Sequence, residues 1–234
     1  MPDNSNAPLT RETFRFFREL ASHNSKDWMD ANRERYQLHV VQPFRKLFAT
    51  LAPAVLALSP RFDACGRTGV NFSRINRDIR FSKDKTPYRP QMYLMFPGTG
   101  GEGWQSGQFY IGVSAEAASL GFRIYSGEKG KTGALAQIAR PRVLKDPGWP
   151  RRQKQRLGRR YESYWYSMEK REWTKHLGWP VATEEWNRLL GWVVRKKLQP
   201  GAAARPGFPR VALKIFRELL PLFRFTSLSG RAAR

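Results

Sequence analysis

The runs Gln91-Met-Tyr-Leu-Met-Phe96, Gly107-Gln-Phe-Tyr-Ile-Gly-Val-Ser114 and Ser119-Leu-Gly-Phe-Arg-Ile-Tyr125 decide the fold. Each is short and rich in aromatic and β-branched residues, with Gly, Pro or Ser punctuation between them, which is the pattern of β-strands. The links between the runs are too short to hold a crossover helix, so consecutive strands must pair antiparallel. Two more strands are expected, over residues 70–81 and 192–198.

The flanks of these runs read as helices. Thr10 is placed to cap a helix in which Phe14, Phe17, Leu20 and Ala21 recur at helical spacing. Asn24, with Asp27 three residues on, is expected to cap a second helix through Trp28, Ala31, Arg35 and Tyr36, and Pro43 to start a third. In the third, Phe44, Leu47, Phe48, Leu51, Val55 and Leu58 form one apolar stripe, kinked at Pro53. Beyond the sheet a short helix is expected over 134–139. A longer one should run from Pro150, with Leu157, Tyr161, Trp165 and Met168 as its stripe. A Gly/Ala/Pro loop over 200–209 precedes a last helix through Val211, Ile215, Leu219 and Leu222. The expected architecture is α+β: N-terminal helices and a C-terminal helix packed on a mainly antiparallel sheet. One domain over 10–228 is expected, between tails at 1–9 and 229–234.

The 234 residues are 41% hydrophobic and 13% aromatic, enough for one substantial core. No apolar stretch approaches the roughly 20 residues that cross a bilayer, so integral membrane association is not expected. With a single cysteine, Cys65, and an N-terminus that lacks a basic-then-apolar leader, the cytoplasm is the expected compartment. The net charge of +23 points to a polyanionic partner. The excess is uneven: residues 61–90 carry eight Lys and Arg against three acids, and 141–175 carry eleven against four.

Residues 71–90 read N-F-S-R-I-N-R-D-I-R-F-S-K-D-K-T-P-Y-R-P. If the first half is extended, Arg74, Asn76, Asp78 and Arg80 share one face, while Ile75, Arg77, Ile79 and Phe81 share the other and face the core. Pro87 then forces a loop in which Lys83, Lys85 and Arg89, with Tyr88 as a neutral donor, complete a candidate anion site with Arg74, Arg77 and Arg80. Asp78 and Asp84 are the candidate general bases. The same alternation of Arg and Asp also reads as a salt-bridge network that pins the loop, and the sequence leaves both readings open.

The run R-D-I-R-F-S-K-D-K-T-P-Y-R from Arg77, together with F-F-R-E-L, N-S-K-D-W and N-R-E-R-Y upstream and G-W-V-V-R-K-K-L from Gly191, resembles the DUF2461 family, a domain of unknown function. The matching residues in the central motif are Arg77, Asp78, Arg80, Phe81, Lys83, Asp84, Lys85, Pro87 and Tyr88. The likeness spans most of the chain and implies a shared scaffold or site without supplying a reaction. The chain departs from the family in its basicity and in the Arg-, Trp- and Tyr-rich region after Pro141.

Arg151, Arg152, Arg156 and Arg159 precede Tyr161, Tyr164, Trp165 and Tyr166, forming a secondary basic surface of the kind that meets phosphates and stacks bases. Tyr161 and Trp165, four apart, are read as core rings beneath it. The Gly98-to-Gly103 match to a dinucleotide fingerprint leads into a strand instead of a helix, and Gly130-Lys131-Thr132, with a strand before it and a short helix after it, has Tyr125 where the first glycine of a phosphate loop belongs. His23, His39 and His176 lack ligand spacing, so no metal or cofactor is expected. The leading reading is a basic module that binds phosphate groups, with nucleic acid as the partner. The rivals are an enzyme acting on a phosphorylated or carboxylated small molecule, and a scaffold for an acidic protein.

Overall fold

A computed structural model describes residues 7–99, 106–126 and 135–227. Among them a six-stranded antiparallel sheet runs in the order β1-β2-β3-β6-β4-β5. Its strands are β1 (Gln91–Pro97), β2 (Gln108–Ser114), β3 (Ala118–Tyr125), β4 (Glu162–Glu169), β5 (Glu172–Leu177) and β6 (Gly191–Leu198). The first three form the expected meander, with Leu94 opposite Ile111 and Ile111 opposite Leu120.

The N-terminal helices are α1 (Arg11–Ser22), α2 (Lys26–Ala31), α3 (Arg33–Tyr36) and α4 (Gln42–Leu58). Thr10 caps α1 as expected, its N–H donating to Thr13 Oγ1. Ser25, not Asn24, caps α2, because its hydroxyl accepts from the Trp28 N–H. Asn24 is used elsewhere, as described below. Pro43 lies in the first turn of α4, as expected, and a π-helical turn at Gln37–Val41 joins α3 to it.

Downstream lie α5 (Arg140–Lys145), α6 (Trp149–Leu157), α7 (Thr183–Arg188), α8 (Pro200–Ala203) and α9 (Phe208–Thr226). The expected long helix from Pro150 is corrected. It ends at Leu157, and Tyr164, Trp165 and Met168 belong to β4, paired with the unforeseen β5. Gly158 ends the helix, and the Lys170-Arg171 turn adopts the left-handed backbone of a tight hairpin. The 200–209 loop contains the short α8, and α9 begins three residues ahead of Val211.

Helix α9 lies across β2 and β3 and against α4, so one face of the sheet is covered. Phe109 stacks on Phe216 with centroids 4.7 Å apart, and Phe223 on Phe62 at 3.9 Å. Trp149 of α6 stacks on Phe225 of α9 at 3.6 Å, which places α6 on this side too. No helix among the described residues is long and apolar enough to cross a membrane.

The segment 70–81 is not a regular strand. Residues 71–73 bond to the outer edge of β1 through Ser73 N–H to Tyr93 O (2.9 Å) and Met95 N–H to Asn71 O (2.7 Å). The chain then leaves β1 and pairs with its own return, Arg77 N–H to Pro87 O and Arg89 N–H to Ile75 O, both 2.8 Å. It therefore lies at a sheet edge as a self-paired loop. Ile75 is buried, but Phe81, expected in the core, is 95% exposed because the loop turns outward at Arg80.

Candidate anion-binding cleft

The loop is held by polar contacts that its sequence encodes. Arg77 donates to the Asp84 carboxylate, to the Thr86 hydroxyl and, at 3.2 Å, to the Thr86 carbonyl, tying the two limbs together. Lys85 Nζ donates to the Ile79 carbonyl at 3.1 Å. Asn24 clasps the exit of the loop: its Nδ2 donates to Tyr88 O at 2.9 Å, and its Oδ1 accepts from Tyr88 N–H at 3.0 Å. Tyr88 itself is buried in the core.

Buried Asn71 anchors the entrance. Its Oδ1 accepts from Gly66 N–H (2.8 Å) and Arg67 N–H (3.2 Å), and its Nδ2 donates to the carbonyls of Asp63 (2.8 Å) and Met95 (3.0 Å). One amide thus fixes the 63–67 turn against β1. Satisfying both of its ends is what lets a polar side chain sit fully buried.

Between this loop and the face of the sheet opposite α9 is an open cleft of about 1250 Å³. Six arginines line it, Arg67, Arg74, Arg77, Arg80, Arg89 and Arg123, against Asp63 and Asp78. Arg80 is spent on Asp78 through a fork of 2.9 and 2.7 Å, and Arg67 lies 3.6 Å from Asp63. Among the described residues, Arg74 and Arg89 have no acidic side chain within ion-pair distance.

Tyr93 of β1 and Arg123 and Tyr125 of β3 face the cleft from the sheet. The Arg123 guanidinium lies 4.9 Å from the ring centroids of both Tyr93 and Tyr110, a cation between two rings. Its Nη2 reaches Gln108 Oε1 at 3.3 Å, while its buried Nε has no hydrogen-bond partner among the described residues. Gly112, opposite Tyr93, makes this fit possible, because a Cβ there would sit 2.5 Å from the tyrosine ring.

The expected site residues are therefore divided. Arg74, Arg77, Asp78, Arg80 and Arg89 line the cleft, Asp84 lines a smaller hollow on the far side of the loop, and Lys83 and Lys85 line neither. The expected separation of faces is also lost, because Asn76, Arg77, Asp78 and Ile79 all border the cleft once the backbone leaves the extended form. The Thr86 backbone N–H, then its hydroxyl and the Arg77 guanidinium, hold Asp84 down at about 2, and Arg80 holds Asp78 below its ordinary value. Arg67, Arg123, Tyr93 and Tyr125 were not among the sequence candidates. The available signal was the alternation in β3, which puts Arg123 and Tyr125 on the face opposite Phe122 and Ile124.

The secondary basic surface lies on α6 and just beyond it. Arg152 pairs with Asp146, and Arg156 donates to Gln153 Oε1 (2.8 Å) and the Glu218 carbonyl (3.0 Å). Arg151 and Arg159 are exposed. Tyr161 and Trp165 are buried, the latter stacked on His176 at 4.0 Å.

The Gly98-to-Gly103 match lies partly, and Gly130-Lys131-Thr132 wholly, outside the described residues. Among those described, no group of three or more His, Cys, Asp or Glu side chains is placed to hold a metal ion. A family model described as conserved hypothetical protein (DUF2461) matches residues 12–225. No curated protein matches the chain.

Proposed function

The chain belongs to the DUF2461 family, and from that premise we propose that it is an anion-binding module whose cleft recognises the phosphate groups of nucleic acid. The observation that carries this reading is the lining of the cleft, six arginines against two aspartates, with no acidic side chain within ion-pair distance of Arg74 or Arg89 among the described residues. Guanidinium groups form paired hydrogen bonds to phosphate oxygens, and a rigid loop presents them at little cost in ordering. The cleft is open, as an extended polyanion requires. Asp78 and Asp84 are both held by hydrogen-bond partners that favour the carboxylate, which makes them weak bases near neutral pH and disfavours the small-molecule enzyme.

Fluorescence anisotropy of labelled oligonucleotides across a salt series tests the proposal. About six phosphate contacts give a log–log slope near −5 on duplex DNA, and Arg74→Gln with Arg89→Gln should reduce its magnitude by about two units. The same change at Arg152 and Arg156, which already have partners, should reduce it less. Wild-type protein that binds neither DNA nor RNA at about 50 mM salt would end this reading.

A further inference from the structure

The tip of the loop that borders the cleft presents a ring that the fold does not use. Every other phenylalanine of the chain is buried in the core or packed against it, whereas Phe81 is 95% exposed. It is the third residue of a turn that Ser82 N–H closes on Ile79 O at 3.3 Å, and Lys85 Nζ donates to the same carbonyl at 3.1 Å. Arg77, through Asp84 and Thr86, ties the two limbs beneath this turn. The ring is therefore held outward by a preformed turn, at little further cost in ordering. The same turn joins it to the cleft. Ile79 and Arg80 line the cleft, and the Arg80 guanidinium lies 5.8 Å from the Phe81 ring centroid. Lys83, two residues beyond the ring, is exposed.

We infer that Phe81 stacks on a base of single-stranded nucleic acid whose phosphates occupy the arginine cleft. The inference deepens the proposed function and rests on it. A nucleotide carries a flat apolar face a few ångströms from a phosphate, and the Phe81 ring stands at that scale from a guanidinium of the cleft lining. A strand that meets the arginines therefore brings a base to the ring. A duplex keeps the faces of its bases in its own stack, and opening a base step costs at least as much as one ring contact returns. A lipid surface fits less well, because even a myristoyl chain anchors a protein only marginally and one phenyl ring buries less apolar area. The net charge of +23 opposes a second copy of the chain.

The experiment uses a labelled single strand of about ten nucleotides and an abasic strand of the same length, which keeps the sugar–phosphate backbone and lacks the bases. Phe81→Ala should weaken binding of the first by roughly 5- to 150-fold, the range that one base–ring stack is worth, and leave binding of the second unchanged. Phe81→Trp puts a larger ring in the same place and should bind the first at least as tightly as wild type does. Because the side chain is exposed, Phe81→Ala should melt with wild type, so unfolding does not enter the comparison. Arg74→Gln with Arg89→Gln should weaken both strands, which separates the cleft from the ring. Phe81→Ala that binds the base-bearing strand as wild type does, or that loses both strands alike, overturns the ring contact and leaves the cleft standing. Wild type that holds the two strands equally does the same. Phe81→Ala that keeps the single strand but loses anionic phospholipid vesicles also overturns it, assigning the ring to a membrane. Wild type that binds neither strand overturns the cleft reading and the ring contact with it.

Discussion

The two faces of the sheet are built by alternate residues of the same strands, yet they treat aromatic rings in opposite ways. On the covered face, Phe96, Phe109 and Phe122 are fully buried, and rings from α9 and from the loop before β1 lie against them. On the open face, Tyr93, Tyr110, Tyr125, Tyr164 and Tyr166 meet Arg123, Arg195, Lys175 and one another. Both faces bury ring area, but among the described residues only the first is closed by the helices of its own chain. The open face is closed edgewise by cations, whose contact with ring faces is electrostatic and leaves polar tips and charge toward the cleft. Under the proposed function, the guanidinium groups that order this face are also the groups that would meet a phosphate.

Truncating one ring on each face separates their energetic roles. Phe109→Ala removes a fully buried side chain that touches Phe216, Phe223 and Phe62, and should cost about 3–5 kcal/mol in denaturant melts. Tyr93→Leu keeps apolar bulk but loses one side of the Arg123 sandwich, and should cost about 1 kcal/mol. Equal losses would mean that the open face is core in all but name.

Two glycines extend the contrast at smaller effect. A Cβ at Gly121 would stand 2.1 Å from the Val194 carbonyl oxygen and 2.8 Å from Arg195 Cα, both backbone atoms of β6. Gly121→Ala must therefore push β3 from β6, at a cost on the order of 1–3 kcal/mol. At Gly112 the obstacle is the Tyr93 ring, which can rotate away. Gly112→Ala should cost less than Gly121→Ala in the same melts, while displacing Tyr93 from Arg123. A larger loss at Gly112 would show that the ring is as fixed as the backbone.

The β1–β3 meander is legible from sequence because its strands are short, punctuated and closely linked, so local pairing leaves few alternatives. The break between α6 and β4 is not. Tyr161 and Trp165 stand four residues apart, which is one face of a helix and equally one face of a strand, and only the Gly158 stop decides between them. The cations of the loop are legible because they crowd one segment. The other wall of the cleft is not, because Arg123 and Tyr125 meet Arg74 and Arg89 only after the 71–73 segment docks on β1. Phe81 shows the limit of alternation itself. The pattern places it beside Ile75 and Ile79, but the pleat ends where Arg77 begins to tie the loop together.

The smallest expected effect lies in the alkaline titration of the open face. Burial pushes the phenols of Tyr110, Tyr125 and Tyr164 above the ordinary value of 10.0, although Arg123 works the other way on the first two and Arg195 on the third. A phenol is neutral when protonated, so a raised value means that the folded protein holds the proton more tightly than the unfolded chain. The stability this brings is fully present below pH 10 and is lost as pH rises through the folded values. Near-ultraviolet absorbance should therefore show part of the complement of eight tyrosines ionising late, with the melting temperature falling over the same range. Arg123→Gln removes a neighbouring charge that favours the phenolates of Tyr110 and Tyr125, so it should delay their ionisation further, provided the fold is unchanged at pH 7. If all eight tyrosines ionise together near pH 10 in both proteins, the open face is solvated like any surface, and the guanidinium does not order its rings.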